Sequence, residues 1–423
     1  MRWNAGLNRY HYLVLAIAAM GWMFDTMDQW LYVWARQSAV AELLKAETTD
    51  PIVKQASGIV QTIFLIGWAT GGFLFGIIGD RLGRARTMAI TIAMYAGFTG
   101  LSGLSQDIYQ FGLLRFLTGL GVGGEFAAGA ALVAEVFPDR ARSTALAIMQ
   151  SCSAIGNLAA AGMNFFVMPE LGWRWMFFIG AGPAILLVLI RLFIKEPSAW
   201  QAAKDAAERE KQKVGSLIEL LRDQAWRHST LVGLGLTTVA VIGFWGISTW
   251  TPDLMRSVLN PDKLPELTKQ TERLSSIGGM AQQAGAFFGP FAFAYVAARW
   301  GRRPAFGMSF LLCLVVAPAT FYLTTSFATA MIWLPLLGFS MLTIFGGLAI
   351  YLPELFPTRL RATGIGLCYN GGRYLAAAGP WLFGGLSGAY GFQSAAMLVS
   401  SVFVGGLAVA IVARETKGRP LPE

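Results

Sequence analysis

EVFPDRAR at residues 135–142 and ELFPTRLR at residues 354–361 are two copies of one motif, which repeats at an offset of 219. A second pair, RLGR at residues 81–84 and RWGR at residues 299–302, repeats at an offset of 218. Each copy directly follows a long apolar run. Two matched motifs at almost the same offset indicate that the chain contains two homologous halves in parallel.

The composition points to lipid as the main solvent of the fold. The chain has 423 residues, of which 55% are hydrophobic and only 13% are charged, and its mean hydropathy is +0.53. Soluble domains carry about 25% charged residues, so a water-soluble surface cannot be built from this supply. Intrinsic disorder is excluded because it requires low hydrophobicity and high charge. We also expect no cleaved signal peptide, since the first apolar run is too long for one.

The apolar runs predict an all-α membrane protein with twelve transmembrane helices in two six-helix pseudo-repeats. A spanning helix needs about 20 apolar residues. The predicted spans are 11–34, 57–78, 87–105, 108–133, 143–167, 173–194, 229–251, 275–297, 305–324, 328–351, 362–386 and 393–413.

These spans divide the chain into three parts. We predict a first bundle at 1–194, a linker with an amphipathic surface helix at 195–228, and a second bundle at 229–423. Most of the 33 Lys and Arg residues lie in the tails and loops on one side of the predicted membrane. The positive-inside rule therefore places both termini in the cytoplasm and the protein in a plasma (inner) membrane. The net charge of +9 is explained in the same way, so we expect no nucleic-acid partner.

The repeated motifs and the sequences around them resemble the major facilitator superfamily. Gly76-x-x-x-Asp80-Arg81-x-Gly83-Arg84 resembles the signature of its loop between helices 2 and 3, and residues 115–125 resemble the helix 4 signature of proton-coupled members. GWR at 172–174, EPSAW at 196–200 and PELFP at 353–357 are similar to the sugar-porter and organic-acid branches. Asp25-x-x-Asp28 resembles the acidic pair of aromatic-acid:proton symporters. The resemblance implies a major facilitator fold and transport by alternating access.

Charged residues inside the predicted spans are functional candidates, because a charge at mid-bilayer costs about 2.5–3.5 kcal/mol on insertion scales. Asp25 and Asp28 share one helix face, and two carboxylates so close in a low dielectric do not both ionise easily. We predict that one of them carries the proton, with Glu125 as a further coupling candidate. The alternative is that they cap the outer end of helix 1 in contact with water. Because a helix rises about 1.5 Å per residue, Asp25 and Arg115 reach similar depths and could pair.

Arg373 lies near the middle of the eleventh span, and we predict that it binds an anionic substrate through its guanidinium fork. The alternative is a structural pairing with a buried acid such as Glu125. Other polar or aromatic residues could line the cavity beside Arg373 and Arg115. These candidates are Gln29, Gln150, Asn157, Trp245, Gln282, Gln283, Tyr369, Asn370 and Tyr374. Plain packing explains many of them about as well.

The repeated motifs predict a cytoplasmic gate of ion pairs that form when the inner mouth is shut. Exposed pairs are worth only about 0–1 kcal/mol each, which suits a switch that must reverse. The alternative is that the arginines only satisfy the positive-inside rule, but that does not explain the matched acids. The predicted gate residues are Asp80, Arg81, Gly83, Arg84, Glu135, Arg140, Arg142, Arg299, Arg302, Arg303, Glu354, Arg359 and Arg361.

Together these patterns predict a proton-coupled symporter for a small organic anion such as a monocarboxylate, an aromatic acid or a sugar acid. A sugar or polyol transporter is the main alternative, and a membrane sensor is a weaker one because it would need a long output domain. No nucleophile–base pair or metal-ligand pattern is present, so we expect neither a catalytic nor a metal site. The expected partners are a small-molecule substrate and the lipid bilayer. We expect a monomer, driven by the proton gradient without a cofactor.

Overall fold

The computed structural model describes residues 4, 6–47, 50–182, 193–210, 212–262, 264–376, 390 and 392–422. Within these residues every regular element is a helix. In the first half the helices are α1 Arg9–Leu44, α2 Pro51–Leu82, α3 Arg84–Ser102, α4 Ile108–Val136, α5 Asp139–Phe166, α6 Met168–Leu171 and α7 Trp173–Gly180. Two short helices follow, α8 Ser198–Arg209 and α9 Leu217–Arg222. The second half contains α10 Gln224–Ile247, α11 Thr251–Leu259, α12 Thr268–Trp300, α13 Arg302–Leu323, α14 Phe327–Leu355, α15 Arg361–Ala376, α16 Phe392–Ser400 and α17 Val402–Val412.

The helix starts follow from local chemistry. Asn8, Asp50 and Asp107 each accept a backbone N–H of the first turn of the helix that follows, which satisfies donors that have no partner within the helix. Helix α1 is longer than the predicted span 11–34, because its apolar and helix-favouring residues continue to Leu44. It ends at Lys45, which adopts a left-handed conformation.

Seven of the described helices are long and apolar enough to cross a membrane. They are Gln55–Leu82, Ile108–Val136, Asp139–Phe166, Gln224–Leu259, Arg302–Leu323, Phe327–Leu355 and Gln393–Val412. Helices α1 and α12 have 36 and 33 residues but carry more polar side chains. The predicted spans 173–194 and 362–386 run into residues 183–192 and 377–386, which lie outside the described residues. The number twelve therefore stays a prediction.

The two halves meet along two helix pairs that are related by the sequence repeat. Helix α2 packs against α15, and α5 packs against α12. The offset of the repeat carries α2 onto α12 and α5 onto α15, so the two contacts are copies of each other. The approach is close: a side chain at Gly366 of α15 would collide with the backbone carbonyl of Gly72 in α2. The bounds 1–194, 195–228 and 229–423 for the three parts remain predictions.

The linker lies against one end of the molecule. Trp200 of α8 is 4% exposed and donates its indole N–H to the backbone carbonyl of Asp80 at 2.7 Å. Helix α9 buries Leu220 completely, and Thr230 of α10 donates to its carbonyl at 3.0 Å. This end also carries all the repeated motifs, at residues 80–86, 135–142, 299–303 and 354–361, and we call it the motif face.

Candidate functional site

A buried ion pair joins α1 to α4. Arg115 donates to Asp28 through both terminal nitrogens, with Nη2 at 2.8 Å from Oδ2 and Nη1 at 3.3 Å from Oδ1. Thr99 of α3 donates its hydroxyl to Asp28 Oδ1 at 2.5 Å. The Arg115 guanidinium also lies over the ring of Phe64, 4.7 Å from its centroid. Asp28 and Arg115 are both completely buried, so the pair can persist only because each charge has a close partner.

Two expectations for helix 1 change here. The structure pairs Arg115 with Asp28 rather than with Asp25, because equal depth along two helices does not fix which side of each helix faces the other. Neither acid caps a helix end in water: both are 0% exposed, and α1 continues to Leu44.

Asp25 and Glu125 are buried acids without hydrogen-bond partners. Both are 0% exposed, and none of their four carboxylate oxygens accepts a hydrogen bond from any described residue. They lie in electrostatic range of each other, and Asp28 and Arg373 also act on Asp25. A side chain at Gly21 of α1 would collide with the Glu125 carboxyl, so this glycine lets the acid reach the backbone of α1. An unpaired buried carboxylate is costly, so each of these groups needs a partner or a proton.

Arg373 is a buried cation that forms no salt bridge with any described acid. It is 3% exposed, and its Nη1 donates to the Tyr369 carbonyl at 2.5 Å and to Asn370 Oδ1 at 2.9 Å. Its Nε has no described acceptor. The guanidinium lies 4.1 Å from the ring centroid of Trp68 in α2 and 4.8 Å from that of Tyr369. Arg373 and Glu125 form no ion pair in the described part of the chain, while Asp25 lies in electrostatic range of Arg373. The structural pairing with a buried acid therefore stays an alternative.

The other predicted cavity residues fall into two groups. Tyr369 and Asn370 lie beside Arg373, and Tyr369 stacks on Phe126 of α4 with 3.8 Å between centroids. Further along the interface, Asn157 donates to Gln283 at 3.1 Å, and Thr251 donates to Gln282 at 2.9 Å. Three others are buried in their helices: Gln29, Gln150 and Trp245.

Tyr374 stands apart from both groups. It is 43% exposed, and its hydroxyl hydrogen-bonds with that of Thr70 at 2.9 Å. Its ring stacks on Phe73, with 5.8 Å between centroids. Tyr374 therefore lies at the exposed edge of the α2–α15 contact.

On the motif face, Glu135 binds an arginine from each half. Its Oε1 lies 2.9 Å from Arg84 Nη2 and 2.9 Å from Arg361 Nη1. Arg84 also donates to the backbone carbonyl of Thr358, in the second half, at 2.6 Å. The same side chains therefore close this end of the molecule across the interface.

Asp80 supports this closure as a helix cap. It accepts the backbone N–H groups of Ala362 and Thr363 at 3.1 and 2.8 Å, and the Thr363 hydroxyl at 2.5 Å. These donors form the first turn of α15, where the helix dipole favours a negative charge. Arg84 Nη1 lies 3.0 Å from the same carboxylate. At the equivalent place in the second half Ala298 replaces the acid, so this cap has no copy.

The second copy of the motif forms a parallel set of contacts. Arg302 lies 2.6 Å from Glu354 and donates to the Ser143 hydroxyl of the first half at 3.1 Å. Arg359 pairs with Glu219 of α9, and Arg81 donates to the carbonyl of Val214 at 3.3 Å, so the linker contacts both halves. The remaining predicted gate arginines lie around these pairs on the motif face: Arg140, Arg142, Arg299 and Arg303.

The expectation that the gate consists of exposed pairs is wrong. The side chains of Arg84, Glu135 and Arg361 are 0% exposed. Breaking a buried pair by removing one partner typically costs about 3–5 kcal/mol, whereas an exposed pair is worth about 0–1. The ion pairs of Glu135 with Arg84 and Arg361 are therefore a strong closure. When this end opens, water or other polar groups must solvate the separated charges.

Two acids that the sequence analysis missed hold the glycine turns of the motif. Glu196 accepts the backbone N–H groups of Ala85 and Arg86 at 3.2 and 3.0 Å. Glu415 accepts those of Arg302 and Arg303 at 2.9 and 3.1 Å. The positions of the two acids differ by the offset of the repeat, so the repeat itself was the signal that could have found Glu415.

The turns require glycine because both have positive φ, 114° at Gly83 and 103° at Gly301. Burial alone would raise the pKa of the Glu415 carboxyl. The backbone N–H groups of Arg302, Lys417 and Arg303, together with the Arg302 charge, outweigh that effect and lower it. The acid is thus kept ionised against the start of α13.

Comparison with known proteins agrees with this architecture. Residues 12–268 match the family profile "Major Facilitator Superfamily", and residues 265–423 match "Sugar (and other) transporter". A putative metabolite transport protein of Haemophilus influenzae is 30% identical over 98% of this chain and 99% of its own length. The cis,cis-muconate transport protein of Acinetobacter baylyi is 30% identical over 89% of each chain.

Among solved structures, the proton:xylose symporter XylE shares the fold, with a TM-score of 0.76 at 16% identity. The match covers 97% of this chain and 98% of that one. The predicted family is therefore confirmed, and the matched proteins are transporters rather than enzymes. The chain is an integral membrane protein, a transporter that belongs to the major facilitator superfamily.

Proposed function

We propose that the protein is a proton-coupled symporter of a small organic anion, such as a monocarboxylate, an aromatic acid or a sugar acid. The observation that carries the proposal is Arg373, a buried guanidinium on the second half that faces Trp68 of the first half and has only neutral hydrogen-bond partners among the described residues. A buried cation that forms no salt bridge is costly, and a carboxylate ligand supplies the missing partner. A substrate bound there would touch both halves, as alternating access requires.

The surroundings of Arg373 favour a flat anion. Trp68 and Tyr369 lie against the guanidinium, and Phe126 stacks on Tyr369. Aromatic faces of this kind pack well on a planar conjugated group. The muconate transport protein of Acinetobacter, whose named substrate is a conjugated dicarboxylate, is in line with this preference.

Proton coupling is assigned to the acids of α1 and α4. Asp28 is held by Arg115, whereas Asp25 and Glu125 have no hydrogen-bond partner among the described residues. In the proposed cycle the motif face is cytoplasmic and both termini lie inside the cell. The ion pairs around Glu135 close the inner mouth while the substrate and a proton bind from outside. The protein acts as a monomer in the inner membrane, driven by the proton gradient without a cofactor.

Counterflow in proteoliposomes tests the substrate class. Liposomes loaded with unlabelled benzoate or cis,cis-muconate should take up the labelled acid transiently, and nicotinate should compete. Labelled xylose and a polyol serve as the parallel series. Exchange of the sugars without competition by any carboxylate would contradict the anion proposal.

A sugar or polyol transporter is the second candidate, and one observation favours it. A small cavity between the halves is lined by Trp30, Asn157, Thr251, Gln282 and Gln283, and none of the described residues that line it is charged. Amide and hydroxyl groups of this kind can bind sugar hydroxyls. In that case Arg373 would have a structural role, and Asn157→Ala would reduce exchange more than a substitution of Arg373.

Asp25→Asn should abolish proton-driven accumulation but spare counterflow. The amide keeps the shape of the acid and cannot carry the proton, and the acid has no hydrogen bond to a described residue that could be lost. The melting temperature should therefore stay near that of the wild type. Accumulation and counterflow are measured in the same liposomes with and without a proton gradient.

Asp28→Asn is the matched comparison, because it leaves Arg115 buried without a counter-ion. It should lower the melting temperature as well as accumulation. Unchanged accumulation in Asp25→Asn would remove this residue as the carrier.

A further inference from the structure

Tyr95 of α3 carries a buried hydroxyl. It belongs neither to the repeated motifs nor to the predicted gate. The side chain is 0% exposed, and its hydroxyl has no hydrogen-bond partner among the described residues. The backbone of Tyr95 packs against Gly121 of α4, where a side chain would approach the Tyr95 nitrogen to 2.7 Å. An unsatisfied hydroxyl inside a membrane protein is costly, which makes it a candidate for function.

The register between α1 and α3 places Tyr95 at the level of Asp25. The Thr99 hydroxyl donates to Asp28, and Ile92 Cδ1 lies 3.8 Å from the position that a Cβ at Gly21 would take. Both helices run away from the motif face, so their levels advance in the same direction. Tyr95 lies between Ile92 and Thr99, one turn from each, as Asp25 lies between Gly21 and Asp28.

Glu125 approaches the same point from α4. It lies one turn beyond Gly121, against which Tyr95 packs, and its carboxyl fills the space left by Gly21. The charges of Glu125, Asp25 and Asp28 all act on the Tyr95 hydroxyl. Helices α1, α3 and α4 therefore place one hydroxyl and two unpartnered acids in the same buried region, without a hydrogen bond between them.

We propose that the Tyr95 hydroxyl relays a proton between Asp25 and Glu125. This inference rests on the proposed proton coupling and adds a path and a new residue to it. The step requires the phenol to move into hydrogen-bond distance of both acids, which it does not reach in this structure. There the protonated Asp25 gives its proton to the phenol oxygen while the phenol O–H gives its own to the Glu125 carboxylate. An O–H bond breaks at Asp25, one forms at Glu125, and the tyrosine is restored.

The charges near Asp25 connect the proton transfer to substrate binding. Asp28 of α1 is paired with Arg115 of α4, so it is not available to accept the proton. On α15, Arg373 is the cation that acts on Asp25. A carboxylate bound to Arg373 offsets that positive charge beside Asp25. The proton and the anion therefore load together, and Glu125 receives the proton when the anion leaves.

Infrared difference spectroscopy of the whole protein in liposomes tests the relay without any substrate. The carbonyl bands of protonated carboxyls are recorded in an acid-to-alkaline titration for the wild type and for Asp25→Asn, Glu125→Gln and Tyr95→Phe. We expect each acid variant to remove one band. Tyr95→Phe should keep both bands and slow hydrogen–deuterium exchange at Glu125 by roughly 100-fold, because the relaying hydroxyl is gone.

Tyr109→Phe is the control, because that side chain is 85% exposed. Exchange rates in Tyr95→Phe equal to those of the control would overturn the relay. If Tyr95→Phe does not fold, 3-fluorotyrosine at position 95 keeps the ring and acidifies the hydroxyl, and it must change the same exchange rate. The infrared experiment contains no substrate, so its outcome is independent of counterflow. If Tyr95→Phe behaves like the control while carboxylates exchange, only the relay is contradicted. If Tyr95→Phe slows exchange at Glu125 but no carboxylate is transported, the anion proposal is contradicted.

Discussion

Arg373→Lys is expected to weaken carboxylate binding by about 10- to 100-fold while the protein stays folded. The lysine keeps the charge but loses the planar fork, and hydrogen bonds to a charged group are worth about 1.5–3 kcal/mol. It also loses the flat contact with Trp68, whose ring centroid lies 4.1 Å from the guanidinium carbon. The measurement is the concentration of benzoate or muconate that gives half-maximal counterflow.

Arg174→Lys is the control for this change. Arg174 pairs with Glu42 at 3.0 Å, both side chains are partly exposed, and both residues belong to the first half. It should exchange carboxylates like the wild type. Wild-type affinity in Arg373→Lys would show that the guanidinium does not hold the substrate, and Arg373 would then be a structural residue.

Glu135→Gln is expected to favour the state in which the motif face is open. The amide cannot neutralise Arg84 and Arg361, which remain buried beside each other. Arg84 keeps Asp80 at 3.0 Å, but in the described part of the chain Arg361 keeps only neutral acceptors such as Thr358. Loss of one partner of a buried pair costs about 3–5 kcal/mol. That corresponds to a population shift on the order of 100-fold or more.

Spin-label distances measure this shift. Labels at Arg86 and Ala298, both exposed on the motif face, report the separation of the two halves in a variant without native cysteines. The Glu135→Gln distribution should move to longer distances. Asp139→Asn is the matched control, because Asp139 is 65% exposed and its pair with Arg142 is worth about 0–1 kcal/mol. Equal distributions in the two variants would contradict the role of Glu135 as the closure.

The sequence was most informative where chemistry repeats at a fixed offset. Arg84 with Glu135 and Arg302 with Glu354 are equivalent pairs in the structure, and their positions after matched apolar runs already indicated that they would meet. The family and the helical fold were predictable for the same reason. The number of membrane crossings and the bounds of the halves were not settled by the described residues.

Side-chain direction was the part that the sequence could not supply. Depth along a helix follows from counting residues, but rotation about its axis does not, so Asp25 and Asp28 could not be told apart as partners of Arg115. Hydroxyls such as Thr99 and Tyr95 also left no signal, because Thr and Tyr are common in apolar helices and carry no charge. Their importance emerged only from the acids that the fold places beside them.

The contacts of Glu196 and Glu415 with the two glycine turns suggest how such a chain could arise. Each acid fastens the glycine turn of its own half, with no help from the other. An ancestral protein of half the length would already have possessed this fastening, and joining two copies end to end would have duplicated it without new chemistry. The unmatched contacts, above all the Asp80 cap that has no copy at Ala298, are what make the two halves of the tandem protein unequal.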